Sequence, residues 1–238
     1  MLLTIVLSLP GKIMLKDFLT SLTFQMTDFA AKHEDFFKLE VEDRAHKVKG
    51  LKIPSTFKLY LAKVSAKDFM KDLQLVVHFI DNPSQAQIKG NALFKAAVEY
   101  FTNRFAERVD ALESAFYLMK SEDRQKKVEE LIDCDSPVAN EIKKLLVFTS
   151  YQELCEQINA LAKAVSGSAH IIVQAPREID LELRKDIRKK LTDENPMSFP
   201  VFQINKKLIG GVRVFKNGEV IDHSWLSRVH RFTSLTAA

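Results

Sequence analysis

Glycine and proline are scarce in this chain, with seven of each in 238 residues. So few residues that break a helix or favour positive φ imply long helical segments. Cysteine is scarcer still. Cys134 and Cys155 are the only two, and they have neither CxxC spacing nor a neighbouring histidine cluster. That argues against a disulfide framework and against a zinc site with paired ligands, and both are expected to be buried reduced thiols. The six histidines, at 33, 46, 78, 170, 223 and 230, are scattered and include no HExxH, so no metal is expected. Nowhere is there the apolar run of about 20 residues that a membrane-spanning helix needs. The opening MLLTIVLSL is nine residues long and stops at Pro10 and Gly11. Lacking a basic start and a small-residue cleavage site, it fits a secretory signal poorly.

What is present is ordinary globular composition: 46% hydrophobic, 28% charged, and 17 phenylalanines among few other aromatics. The length suits two domains. The net charge of +4 is unevenly spread, since residues 166–238 carry 12 Lys and Arg against 8 Asp and Glu and the remainder balances to zero. A mild local excess of this kind suits an acidic partner or a membrane surface. It is not the dense basic stripe with interleaved aromatics of a nucleic-acid binder, and no nucleic-acid partner is expected.

Over residues 12–147 apolar positions recur every three or four residues, the pattern of amphipathic helices. Met14, Phe18, Leu22, Met26 and Phe29 mark the first. Ser65 is placed to cap a helix burying Phe69, Leu73, Val76 and Ile80, ending at Asp81-Asn82-Pro83, and Ser84 to cap the next. Beyond Gly90, the residues Phe94, Val98, Phe101, Phe105, Val109, Leu112, Phe116 and Met119 make a near-heptad seam about seven turns long. Burial in the chain's own bundle is its expected fate, with another subunit's helix as the alternative. Ser136-Pro137 restarts the pattern as a cap followed by a first-turn proline. A helix over 151–165 then ends at Ser166-Gly167-Ser168.

After that loop the pattern is β-α-β-β-α: a strand at 169–173, a helix at 179–191 with Leu183, Ile187 and Leu191 on one face, and alternation at 199–204. Val212, Val214 and Phe215 lead into Asn217-Gly218, the strongest two-residue hairpin signal because a type I′ turn needs two positive φ values. Val220 and Ile221 return, and a last helix begins at Ser224 with Leu226, Val229 and Phe232 facing inward. The fold class is therefore α+β, an N-terminal helical bundle over 1–148, a connecting helix over 149–165 and a small α/β domain over 166–238.

Asp222-His223-Ser224 contains the residue types of a hydrolytic triad. Consecutive residues point to different sides of a strand or helix, so the three cannot line up among themselves. No GxSxG elbow supplies another nucleophile. Asp222 or Ser224 reads more simply as a helix cap. Ile209-Gly210-Gly211 fits neither a P-loop nor a dinucleotide loop; adjacent glycines before a strand mark a bulge or a close backbone approach. No cofactor site and no catalytic residue is assigned.

The stretch LIGGVRV from Leu208 to Val214, the Asn217-Gly218 turn and Ile221-Asp222-His223-Ser224 together resemble the C-terminal domain of the F-type ATP synthase delta subunit, whose mitochondrial counterpart is the oligomycin-sensitivity-conferring protein. The strand Ile171-Ile172-Val173-Gln174-Ala175-Pro176 is similar to the one that precedes the domain helix in that family. The usual opening Tyr-Ala helix motif is missing, and the N-terminal region is longer than the family norm. The resemblance implies a non-catalytic stator component, in which N-terminal helices hold the alpha subunits of the catalytic head and the C-terminal domain holds the b-subunit stalk. Ile209, Gly210, Gly211, Asn217, Gly218, Asp222 and Ser224 would be its structural motif. A peripheral position on the cytoplasmic side of a bacterial inner membrane is implied, with the matrix side of the mitochondrial inner membrane as the alternative. Two other readings compete: an E-type peripheral-stalk subunit of a vacuolar or archaeal rotary ATPase, and a hydrolase using Ser224 or His223.

Overall fold

The computed structural model describes residues 11–82, 86–225 and 227–229. The MLLTIVLSL segment, Ser84, Leu226 and Phe232 lie outside that range, as do the side chains of residues 11–14. Within it, helices come first and a small sheet last. The fold is α+β.

The first helix, α1 (Gly11–Lys32), presents Phe18, Leu22 and Met26 to the interior, all fully buried, while Phe29 is half-buried. Around it stand α2 (Val41–Lys47), α3 (Ser55–Lys63), α4 (Ala66–Asp81), α5 (Ala92–Tyr100), α6 (Ala106–Ala111), α7 (Ser121–Leu131), α8 (Pro137–Phe148) and α9 (Tyr151–Ser166). Three local rules set the boundaries. Ser65 Oγ accepts the Asp68 N–H at 3.1 Å and opens α4; Ser136 does the same for Ala139 ahead of Pro137; and Ser150 forms a reciprocal capping box with Glu153. Gly167, at φ 68°, closes α9 in the left-handed conformation.

The seam is buried in the chain's own core, but the helix carrying it is shorter than its spacing predicts. Phe94, Val98, Phe101, Phe105, Val109, Leu112 and Phe116 are all buried, and Met119 packs half-buried against them. α5 runs into α6 through one π-helical turn, Phe101–Phe105, where the Thr102 hydroxyl donates back to the Val98 carbonyl at 2.8 Å. The helix then stops at Ala111. Leu112 is extended, and Phe116 lies on a 3₁₀ turn, Ser114–Leu118. Three- and four-residue spacing survives the break because it records only which side is buried. Phe18 anchors the aromatic centre, stacked on Tyr100 at 5.9 Å and edge-on to Phe101 at 5.2 Å.

The sheet contains β1 (Ile171–Ala175), β2 (Val201–Ile204), β3 (Arg213–Lys216) and β4 (Glu219–Asp222) in the order β2-β1-β3-β4. β1 pairs parallel to β2 across the helix α10 (Leu181–Glu194), and antiparallel to β3, which forms a hairpin with β4. Phe199 and Val201 belong to the same core as the helices.

Some side chains lie where periodicity did not put them. Leu183 is 53% exposed, and α10 buries Arg184 and Arg188 instead, because their partners lie beneath the helix. Cys155 is buried but Cys134 is exposed, sitting in the break between α7 and α8. Residues 225 and 227–229 are helical, yet Val229 is 51% exposed. Asp72 was also unforeseen. It lies on the inner face of α4 between Phe69 and Val76, where its carboxylate accepts from Tyr60 Oη and Asn91 Nδ2, both at 2.6 Å. Burial and this carboxylate both push the Tyr60 phenol well above its ordinary pKa. Asn91 Oδ1 in turn accepts the Phe94 N–H at 3.0 Å as the cap of α5, so one acid fastens three helices.

Asp72→Ala would leave the buried Tyr60 hydroxyl and the half-buried Asn91 amide unsatisfied and is expected to lower stability by about 2–4 kcal/mol, against about 1 kcal/mol for Tyr60→Phe. Urea unfolding midpoints at constant m-value measure both.

Candidate functional site

Two pieces of geometry stand out: the C-terminal hairpin with its flanks, and the junction where the sheet meets the helices. In the hairpin, Asn217 and Gly218 have φ of 50° and 93°, the paired positive values of a tight two-residue turn. The turn is tied to the chain ahead of β1, since the His170 N–H donates to Asn217 Oδ1 at 3.1 Å and the Asn217 N–H to the His170 carbonyl at 3.3 Å.

Leu208 is buried and Ile209 is 76% exposed, so the chain turns outward as it reaches the glycines. The Gly210 carbonyl accepts the Trp225 N–H at 3.0 Å, and the Val212 carbonyl accepts the His223 N–H at 3.0 Å. Gly211 sits between these two bonds with φ 75°. A Cβ there would collide with the His223 carbonyl oxygen and come within 3.0 Å of Ser224 Cα. Only glycine fits a left-handed residue pressed against another backbone. A Cβ at Gly210 would meet only the side chain of Trp225, which is 61% exposed.

Asp222 does not face His223. Its Oδ2 accepts from Arg213 Nε and Nη2 at 2.9 and 2.7 Å, and its Oδ1 accepts the Ser224 N–H at 2.8 Å. Ser224 and then Arg213 hold this carboxyl at about 2, below its ordinary 3.8. The charged form is thus favoured by folding, so what it contributes is present above pH 4 and fades as the pH falls towards 2. Ser224 is fully buried, and its Oγ accepts the Ser227 N–H at 3.3 Å, as a helix cap does. The three side chains do not form the hydrogen-bonded line of a triad. Arg213 escaped the sequence reading, although it and Asp222 are equidistant from the Asn217-Gly218 turn and therefore directly paired in the β3–β4 register.

At the junction, Asp110 near the end of α6 is 3% exposed and Arg188 on α10 is 6% exposed. The pair is bidentate: Arg188 Nη2 donates to Oδ1 at 2.8 Å and Nε donates to Oδ2. The Arg188 guanidinium lies 4.7 Å from the Phe199 ring centre and 5.2 Å from that of Phe202. One turn earlier, Arg184 donates to Glu178 at 3.1 Å and to the Ile179 carbonyl at 3.2 Å. Glu178 also accepts the Ser114 N–H at 2.9 Å, and the Tyr151 hydroxyl accepts the Phe202 N–H at 3.0 Å. Helical and sheet segments are thus joined through charge, ring and backbone contacts at once. The legible signs were a lone acid inside an apolar seam, arginines four apart on α10, and phenylalanines three apart after it.

Among the described residues no three His, Cys, Asp or Glu side chains converge to hold a metal, and no helix is long and apolar enough to cross a membrane. The geometry defines an α+β protein in which a helical bundle and a small α/β unit are fastened by a buried ion pair, Asp110–Arg188. The family model for the ATP synthase delta (OSCP) subunit matches residues 90–235, and the chain belongs to that family. Comparison with curated proteins finds no match. The family comprises non-catalytic peripheral-stalk subunits of F-type ATP synthases, associated peripherally with the membrane through the complex. The match opens beside the Asn91 cap of α5 and takes in both the junction and the C-terminal hairpin; residues 1–89 lie outside it.

Gly211→Val is expected to lower stability by more than about 1 kcal/mol, while Gly210→Ala costs less because Trp225 can swing away. Thermal unfolding of the two variants distinguishes them. At the junction, Asp110→Ala strands a buried guanidinium and is expected to cost about 3–5 kcal/mol, whereas the double variant Asp110→Leu/Arg188→Met regains most of that loss. Denaturant unfolding of single and double variants measures the coupling.

Proposed function

We propose that the chain is the stator link between the catalytic head and the b-subunit stalk of an F-type ATP synthase, holding the head still so that shaft rotation drives ATP synthesis. Residues 1–148 grip the N-terminal segments of the alpha subunits, the helix at 149–165 connects, and residues 166–238 bind the end of the b subunit. The observation that carries this reading is the family match across residues 90–235, which takes in residues 90–148 of the helical part and nearly all of the C-terminal part. The buried Asp110–Arg188 pair supports it physically. Torque applied at one end reaches the other only if the two segments do not slip, and a desolvated bidentate pair has one low-energy geometry.

This duty needs complementary surfaces and no nucleophile. Ser224 is fully buried and engaged as a cap, and Asp222 is held by Arg213, which favours the stator reading over a hydrolase. An E-type stalk subunit would begin with one very long charged helix; here α1 ends at Lys32 and short helices follow. We place the protein at the cytoplasmic face of a bacterial plasma membrane, or alternatively at the matrix face of the mitochondrial inner membrane.

Affinity purification of the chain from native membranes is expected to recover the alpha and b subunits together. Recovery of neither would overturn the proposal.

A further inference from the structure

A cleft of about 330 Å³ opens in the helical part, where the link between α2 and α3 meets α6 and the break between α7 and α8. That volume is within the usual range for a small-molecule site. Its floor is apolar, with Ile53, Ile132 and Ile142 buried beneath it. Its walls are cationic. Lys49 and Lys52 come from the link, Lys58 from α3 and Arg108 from α6, and no Asp or Glu lines the cleft.

None of these four cations makes an ion pair among the described residues. Each meets a neutral group instead. Lys58 Nζ donates to the Lys49 carbonyl at 2.7 Å, Lys52 Nζ to the Asp135 carbonyl at 3.4 Å and Arg108 Nη1 to the Tyr100 hydroxyl at 3.1 Å, while Lys49 Nζ lies 3.5 Å from His46 Nδ1. An ammonium or guanidinium carries several donors, so each has others to spare. Of the flanking acids Asp133 and Asp135, neither belongs to the lining, and the Asp135 carboxylate accepts from Asn140 Nδ2 at 3.4 Å. The first turn of α8, capped by Ser136, lines the cleft as well and adds the positive end of a helix. Like charges gathered round one opening without a counter-charge repel one another and attract an anion.

The amount of charge narrows its nature. One phosphate carries about 1.5–2 negative charges near pH 7, so four cations match two phosphates better than one. We infer that this cleft binds a compact ligand bearing two phosphates, either a free diphosphate or a lipid headgroup. Its oxygens take the spare donors of Lys52, Lys58 and Arg108, within the field of Lys49. Three of the four cations lie in residues 1–89, outside the family match, so the site goes beyond what the family assignment carries. It stands on the cleft itself whether or not the stator role holds.

Cys134 lines the cleft and is exposed whereas Cys155 is buried, so alkylation of Cys134 reports occupancy. Sodium pyrophosphate, titrated into the full chain at low ionic strength, is expected to slow N-ethylmaleimide labelling of Cys134 several-fold and saturably, and citrate is expected not to. Lys49→Gln/Lys52→Gln, at two exposed side chains, should weaken that protection about tenfold and leave the unfolding midpoint unchanged. Lys189→Gln/Lys190→Gln, the same charge change at exposed positions of α10, should leave it unaltered. Co-sedimentation with phosphatidylcholine vesicles containing phosphatidylinositol bisphosphate separates the two sources. Vesicle binding that is lost in Lys49→Gln/Lys52→Gln assigns the site to a headgroup, and protection by pyrophosphate without vesicle binding assigns it to a free diphosphate. Absence of both, equal protection by citrate, or equal weakening in the two double variants would overturn the inference.

Discussion

Asp110 is an acid set into an apolar helical seam, and its burial obliges a cation to follow it into the core. An isolated carboxylate there would be prohibitively desolvated, and Arg188 brings α10 down onto α6 to meet it. The guanidinium then needs cover, which Phe199 and Phe202 provide as β2 begins. Much of the junction follows from that meeting. α10 shows its arginines inward and Leu183 outward, Glu178 is drawn to Arg184 and to the Ser114 N–H, and α6 ends where the 3₁₀ turn must take that bond. Hydrophobic burial drives the collapse, but it is non-directional. The ion pair fixes which face meets which.

The hairpin repeats this logic on a smaller scale. Its turn is purely local, since two positive φ values select Asn217 and Gly218. Its flank is not: Gly211 must lack a side chain because the backbone of His223 and Ser224 passes directly over it. Arg213 and Asp222 then lock the two strands, and Ser224 opens the helical turn beyond. A run of residues that has the composition of an active site thereby serves as a brace. Such a brace needs no reactive group, and the family to which the chain belongs comprises non-catalytic peripheral-stalk subunits.

Legibility tracked the range of the interaction. Caps at Ser65 and Ser136 could be read because each needs only a backbone N–H three residues on. The seam was readable as buried, yet its length was not, since spacing of three and four persists through the π turn and past the end of α6. Leu183, Ile187 and Leu191 formed a plausible inner stripe for α10 because apolar periodicity carries no information about a charged partner elsewhere. Asp72 was hidden for the same reason: its donors, Tyr60 and Asn91, lie 12 and 19 residues away.

The sequence by itself determined the helices and their caps, the hairpin turn, the α+β class and, through the LIGG to IDHS pattern, the family. These rest on backbone propensities, period and short-range hydrogen bonds, all of which act within a few residues. Tertiary structure alone decided which charges go inside, where the seam helix ends, and that Cys134 is exposed. A buried charge is stable only in the presence of its counterpart, and Asp110 and Arg188 are 78 residues apart in the chain.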